Sequence, residues 1–213
     1  MKSKHFITHV NNIDLTLLAF NSIKNKSDLK DKILIIDNSE EKELTNHLDK
    51  FKEAKIIYAT QPLTTAQTMN WMREIAIQEN LDIISWQHND AEPLNDTVEK
   101  SYELANTYIE NKKSFGVIFT NYDTFCIFSV EALKIVGKWD WVLFPFYYLD
   151  NDYYYRLENN GFEIINTNLA CIHHNGSSNT MKVDYLRKLN HDFTDHISLK
   201  LITLKNGVYK KYD

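Results

Sequence analysis

Asp37, Asp90, Asp150 and His173 each stand close to the point where an apolar run gives way to polar residues. An open α/β sheet binds its ligands at such junctions, beyond the carboxyl ends of its strands. Asp37 opens Asp37-Asn38-Ser39 after the run ILII, and Asp90 closes His88-Asn89-Asp90 after DIISWQ. A carboxylate is a hard oxygen donor, suited to a divalent cation that in turn holds a diphosphate. Asp90 is placed for that task, with His88 and Asn89 beside it to complete the outer shell or to meet a sugar. Asp37 is placed to accept from a base N–H or a ribose hydroxyl. An Asx turn or a helix cap would use the same residues through bonds to backbone N–H groups, and the spacing admits both.

The stretch Trp139–Thr180 is the densest in such groups. Residues two apart on a helix point to opposite sides, so Asp150 and Asp152 do not share a ligand. Asp150, at a helix entrance where backbone N–H groups stabilise an anion, suits a general base. It would equally suit an N-cap. Asp152 is four residues before Arg156, the spacing of an intrahelical ion pair. Most of the surrounding Trp, Tyr and Phe residues must be core or cleft wall. Trp141 and Tyr147 are candidates for acceptor contact, because aromatic faces suit the apolar faces of sugar rings, with Asp152 as a third. His173 and His174 follow an apolar strand and should point to opposite sides, one toward a metal and one toward solvent or packing. The loop after them offers backbone N–H groups and the hydroxyls of Ser177 and Ser178 to a phosphate. It should be mobile and close over bound diphosphate.

The elements that must position these groups are readable from apolar spacing. Strands are expected at 5–10, 32–36, 55–58, 82–86, 114–119, 124–128, 162–165 and 169–172. Helices are expected over about 13–23, from near Glu40, over 66–76, 95–111, 130–136 and 150–159, and in the tail after 183. The alternation in the first half is a βαβ series. It implies one α/β domain with a mostly parallel central sheet, 5–93 binding nucleotide, 94–182 carrying acceptor and catalysis, and 183–213 a helical tail.

Composition narrows the class. A chain of 213 residues with 43% hydrophobic and 13% aromatic content can bury one sizeable core. A net charge of -5 gives no basic field for nucleic acid. Two cysteines in apolar surroundings argue against a disulfide framework and for a cytoplasmic setting. No transmembrane run or signal peptide is evident.

These motifs together resemble the nucleotide-sugar glycosyltransferases of the GT-A fold, in the family 2-like, rhamnosyltransferase-like branch. The likeness rests on ILIIDNS at 33–39, TTAQTMN at 64–70, ISWQHNDAEP at 84–93, GKWDWVLFPFYYLDNDYYYRLENNG at 137–161 and IHHNGSSNT at 172–180. It implies an inverting transfer from a nucleoside diphosphate sugar, UDP-linked, to a glycan or other hydroxyl acceptor, with Mn²⁺ or Mg²⁺ as cofactor. Asp37 matches the carboxylate at the nucleobase, and Asn70 falls in the donor-side polar run. Asp90 matches the last residue of the family's Asp-x-Asp metal motif, whose first position is His88 here. Asp150 matches the catalytic base, with Leu149 in place of a frequent Glu. His173 matches a third metal or diphosphate contact. The length resembles that of small soluble transferases, or of one domain of a longer multidomain enzyme such as the first domain of a chlorovirus glycosyltransferase. Two rivals use the same residues: a metal-dependent phosphoesterase or nucleotidyltransferase, and a non-catalytic nucleotide- or sugar-binding domain.

Overall fold

The computed structural model describes residues 1–26, 29, 31–121, 123–174, 197–207 and 212. In chain order the elements are β1 (Ser3–His9), α1 (Ile13–Ile23), β2 (Ile33–Asp37), a 3-10 stretch (Glu43–Phe51), β3 (Lys55–Tyr58), α2 (Thr65–Gln78) and β4 (Ile83–His88). Then come β5 (Ala91–Pro93), α3 (Thr97–Glu110), β6 (Phe115–Phe119), β7 (Phe125–Ser129), α4 (Val130–Val136), α5 (Leu149–Asn159), β8 (Glu163–Asn166) and β9 (Cys171–His173). Residues 197–206 are also helical.

Seven strands form one sheet in the order β3-β2-β1-β4-β7-β6-β8. β1 runs parallel to β2 and β4, β2 to β3, and β6 to β8. β7 is antiparallel to both its neighbours, β4 and β6. The expectation of a mostly parallel sheet therefore holds, with β7 reversed so that its start lies beside the end of β4. β2, β6 and β7 are buried at every position, as continuous apolar runs covered on both faces must be. One face packs Phe6, Ile36, Ile84 and Phe128 against α2, α4 and α5. The other packs Ile7, Ile35, Ile83 and Ile127 against α1 and α3. Gly116 lets α5 lie close on β6: a Cβ there would stand 2.7 Å from the Leu157 side chain.

Local chemistry sets the element ends. Asn12 caps α1 by accepting from Leu15 N, and Thr64 with Gln67 forms a capping box on α2. Gly137 and Gly161 follow α4 and α5 at φ 88 and 79, values glycine adopts without strain.

Three differences from the expected elements bear on the site. The helix expected near Glu40 is a 3-10 stretch beginning at Glu43 and broken at His47. Ser39 Oγ and Asp37 Oδ2 capture the N–H groups of Glu43 and Leu44, and Lys42 is left-handed. α5 begins at Leu149 behind a left-handed Tyr148 with no side-chain cap, so neither Asp150 nor Asn151 caps it. β5, three residues long, is not signalled by periodicity; it pairs antiparallel with β9.

Candidate metal and donor site

The short β5–β9 ribbon brings together two segments far apart in sequence. Its register sets Ala91 opposite His173, so His173 arrives beside Asp90. His173 Nε2 lies 3.2 Å from Asp90 Oδ1, and His88 Nδ1 lies 3.9 Å from the same oxygen. One ligand atom from each of His88, Asp90 and His173 falls within 4.8 Å of the others. Two imidazoles and a carboxylate at this separation fit a divalent cation. His88 is the last residue of β4 rather than the first beyond it, and its N–H bonds Thr124 O at the start of β7. Burial pushes the His88 imidazole down to about 4, opposed by the Asp90 charge and aided by His173. It is therefore neutral near pH 7, with a lone pair for a metal.

The two adjacent histidines have separate tasks. The His174 ring bonds Glu92 at 2.8 Å, while its backbone N–H bonds Asp90 O at 2.8 Å. The turn between β4 and β5 is held from beneath by a buried polar chain. Gln87 Nε2 donates to Ala91 O at 2.7 Å and faces Ala19 O at 3.2 Å, which leaves Oε1 to accept from His5 Nε2. His5 Nδ1 then accepts from Ser85 Oγ, which in turn accepts from Tyr102 OH. Burial drives His5 down to about 3, so it stays neutral as this chain requires. Trp86 packs on the His88 ring at 4.5 Å. Its indole Nε1 and the hydroxyl of Thr8, whose Cα is in register with that of His88, are buried with no hydrogen-bond partner among the described residues.

Asp37 lies at the same edge of the sheet. Its Oδ1 accepts from Ser39 N and Oγ, and its Oδ2 from Leu44 N at 3.0 Å. The turn-forming use of this carboxylate is thus the one realised in the free chain. Beside it, His9 bridges Thr16 at 2.8 Å and Glu43 at 3.0 Å. Burial lowers the His9 pKa, with the charges of Asp37 and Glu43 opposing. Among the described residues Asn89 reaches only Thr16 Oγ1, at 3.5 Å.

Asp150 lies in the first turn of α5. Its charge adds to burial in raising both the Cys126 thiol and the Tyr154 hydroxyl. Cys126 is in register with Trp86, so Asp150 belongs to the side of the sheet that carries His88. Asp123 acts on the same two groups and has no sequence signature beyond a polar loop. Asp152, expected both to pair with Arg156 and to meet acceptor, is buried and ion-paired to Arg156 Nε and Lys205 Nζ, each at 2.9 Å. Asn70, expected on the donor side, uses both amide atoms on the backbone of Trp139, at 2.8 and 3.0 Å. It anchors the aromatic loop. Trp141, 49% exposed, lines a cleft of about 330 Å³ with Lys138, Asp140, Arg156 and Lys205. Tyr147 is half-buried in the same loop. Ser177, Ser178 and most of the loop expected to bind phosphate and to close over it lie outside the described residues.

The structure therefore gathers His88, Asp90 and His173, with Asp37 along the same edge and Asp150 on the His88 side. Sequence reasoning missed the supporting residues: Gln87, His5, Trp86, Glu92 and His9. The polar residues within DIISWQ and HFITH, at positions otherwise filled by apolar side chains, were the available signal.

No protein-family model and no curated protein matches this sequence. Solved structures do share its fold. A mannosyltransferase from Pyrobaculum calidifontis, in complex with GDP-Man and Mn²⁺, aligns with TM-score 0.65 and 14% identity over 88% of this chain and 60% of its own. TarS 1-349 from S. aureus aligns with TM-score 0.54 and 12% identity over 74% of this chain and 55% of its own. A cytidylyltransferase from Leptospira borgpetersenii aligns with TM-score 0.54 and 12% identity over 100% of this chain and 98% of its own. The chain thus spans less than two thirds of the mannosyltransferase and of TarS. At such identities the likeness is one of fold: a GT-A-like α/β architecture with a largely parallel sheet flanked by helices. Among the described residues no helix is long and apolar enough to cross a membrane.

Proposed function

We propose that this chain is an inverting, metal-dependent glycosyltransferase, moving a sugar from a nucleoside diphosphate sugar, UDP-linked in the first instance, to a glycan hydroxyl. What supports it above all is the His88/Asp90/His173 group at the carboxyl edge of β4, on the side of the sheet that carries Asp150. His88, Asp90 and His173 would hold a divalent cation, which would supply positive charge to offset that on the departing nucleotide. Asp37 and the polar edge around His9 would receive the nucleobase, and Trp141 with Tyr147 the acceptor.

Asp150 is the general base in this proposal. An alcohol is a poor nucleophile at neutral pH, and a positioned carboxylate contributes roughly 10²–10⁴-fold. The acceptor oxygen forms its bond to the anomeric carbon as that carbon's bond to the diphosphate oxygen breaks. The hydroxyl proton passes to Asp150, and the electron pair leaves with the nucleotide. One displacement inverts the anomeric configuration.

The cytidylyltransferase likeness favours a second reading, nucleotidyl transfer, since that enzyme is of the same length. The five glycines stand at 116, 137, 161, 176 and 207, so no glycine-rich phosphate loop follows β1. This weighs toward the first. A screen of nucleotide sugars with Mn²⁺ and oligosaccharide acceptors decides between them. Release of nucleoside diphosphate with an inverted linkage, read by NMR, is expected. Release of pyrophosphate from a nucleoside triphosphate and a sugar phosphate would establish the second reading instead.

A further inference from the structure

We propose that His88 makes this a site for Mn²⁺ and the later first-row ions and closes it to Mg²⁺; the inference rests on the metal reading of the triad. Among the described residues the group offers three ligand atoms, two of them imidazole nitrogens and one a carboxylate oxygen. Mg²⁺ demands oxygen donors in near-ideal octahedral geometry and gives up its waters reluctantly. Imidazole suits the transition ions, whose affinity for nitrogen sites rises along the row from Mn²⁺. An Asp at position 88 would supply the oxygen that Mg²⁺ needs; His88 does not.

The backbone that carries each ring is braced, and each ring has a packing partner. His88 is fixed by its backbone bond to Thr124 O at 2.9 Å and by packing on Trp86 at 4.5 Å. The His173 ring meets it edge-on at 5.5 Å, and strand pairing with Ala91 holds its backbone. Glu92, the carboxylate carried by the same ribbon, pairs instead with His174 at 2.8 Å. Among the described residues the site therefore offers a cation one oxygen and two nitrogens from braced strands.

The test is direct metal binding, without turnover. Mn²⁺ is added to the full chain with and without UDP, and water-proton relaxation reports ion held on the protein. Mg²⁺ is then titrated in. For the native chain, roughly a hundredfold excess of Mg²⁺ should leave the Mn²⁺ signal largely intact. For His88→Asp, Mg²⁺ at concentrations comparable to Mn²⁺ should displace it, and His173→Asp should shift in the same direction. Displacement of Mn²⁺ from the native chain by equimolar Mg²⁺ would overturn the inference. So would both folded variants, checked by circular dichroism, continuing to refuse Mg²⁺. If the native chain holds neither ion with or without UDP, the metal reading of the triad itself fails.

Discussion

The edge formed by β1, β2 and β4 and the loop between α4 and α5 are both rich in polar and aromatic residues, yet they are built differently. At the sheet edge each candidate group is fixed by strand register or by a buried bond: Asp37 by three donors, Gln87 by Ala91 O, His173 by its pairing with Ala91. In the loop, Trp141, Val142, Leu143 and Phe146 are exposed, while the backbone is tied by the Asn70 clamp, the Asp140 turn and a bond from Ala66 N–H to Pro145 O. A ladder can hold three ligand atoms within a few ångströms without help from a ligand. Under the proposed function, this aromatic loop would gain its partners from the acceptor. The first region is thus preformed for a small charged group, the second adaptable to a larger neutral one.

Asp150→Asn, at the seam of the two regions, should have the largest effect. Turnover should fall by about 10²-fold or more while UDP affinity stays within a few-fold, measured by steady-state kinetics and calorimetry. Normal turnover would place the base elsewhere, with Asp123 the next candidate.

Asp152→Asn, two residues on, separates structure from chemistry on the same helix. It leaves Arg156 and Lys205 without their shared carboxylate. Both cations are partly solvated, so the loss should be about 1–3 kcal/mol in urea unfolding, below the figure for a fully buried pair. Turnover of the folded variant should change far less than in Asp150→Asn.

Gln87→Leu removes the bond to Ala91 O beneath the metal turn. Weakening of Mn²⁺ binding by about tenfold is expected, as for other groups that orient ligands from behind. Unchanged affinity would mean that strand pairing alone holds the turn. Trp141→Ala should be the mildest. It should raise the KM for acceptor by a few-fold, in line with the loss of one stacking contact, and leave donor binding alone.

Apolar spacing revealed most of the sheet and helices because continuous runs such as ILII and FGVIF have few other uses. It did not reveal β5, because Ala91-Glu92-Pro93 has no period and exists as a strand only through β9. Hence apolar spacing gave Asp90 and His173 as types only; that both meet one metal was implied by the resemblance, and the β5–β9 ribbon brings them together. Asp37 shows the opposite limit. Its position was readable, but not that Ser39 and Leu44 would take up its carboxylate, since that depends on where the chain turns. The start of α5 was misplaced because the left-handed Tyr148, not a capping side chain, begins it.

Calorimetric titration of UDP into the native chain and into Asp90→Ala, each with and without Mn²⁺, tests the central claim most directly. Mn²⁺ should strengthen UDP binding to the native chain by roughly tenfold or more, and that increment should vanish in Asp90→Ala. The same Mn²⁺-dependent increment in both proteins would show that His88, Asp90 and His173 do not hold the cation that binds the diphosphate.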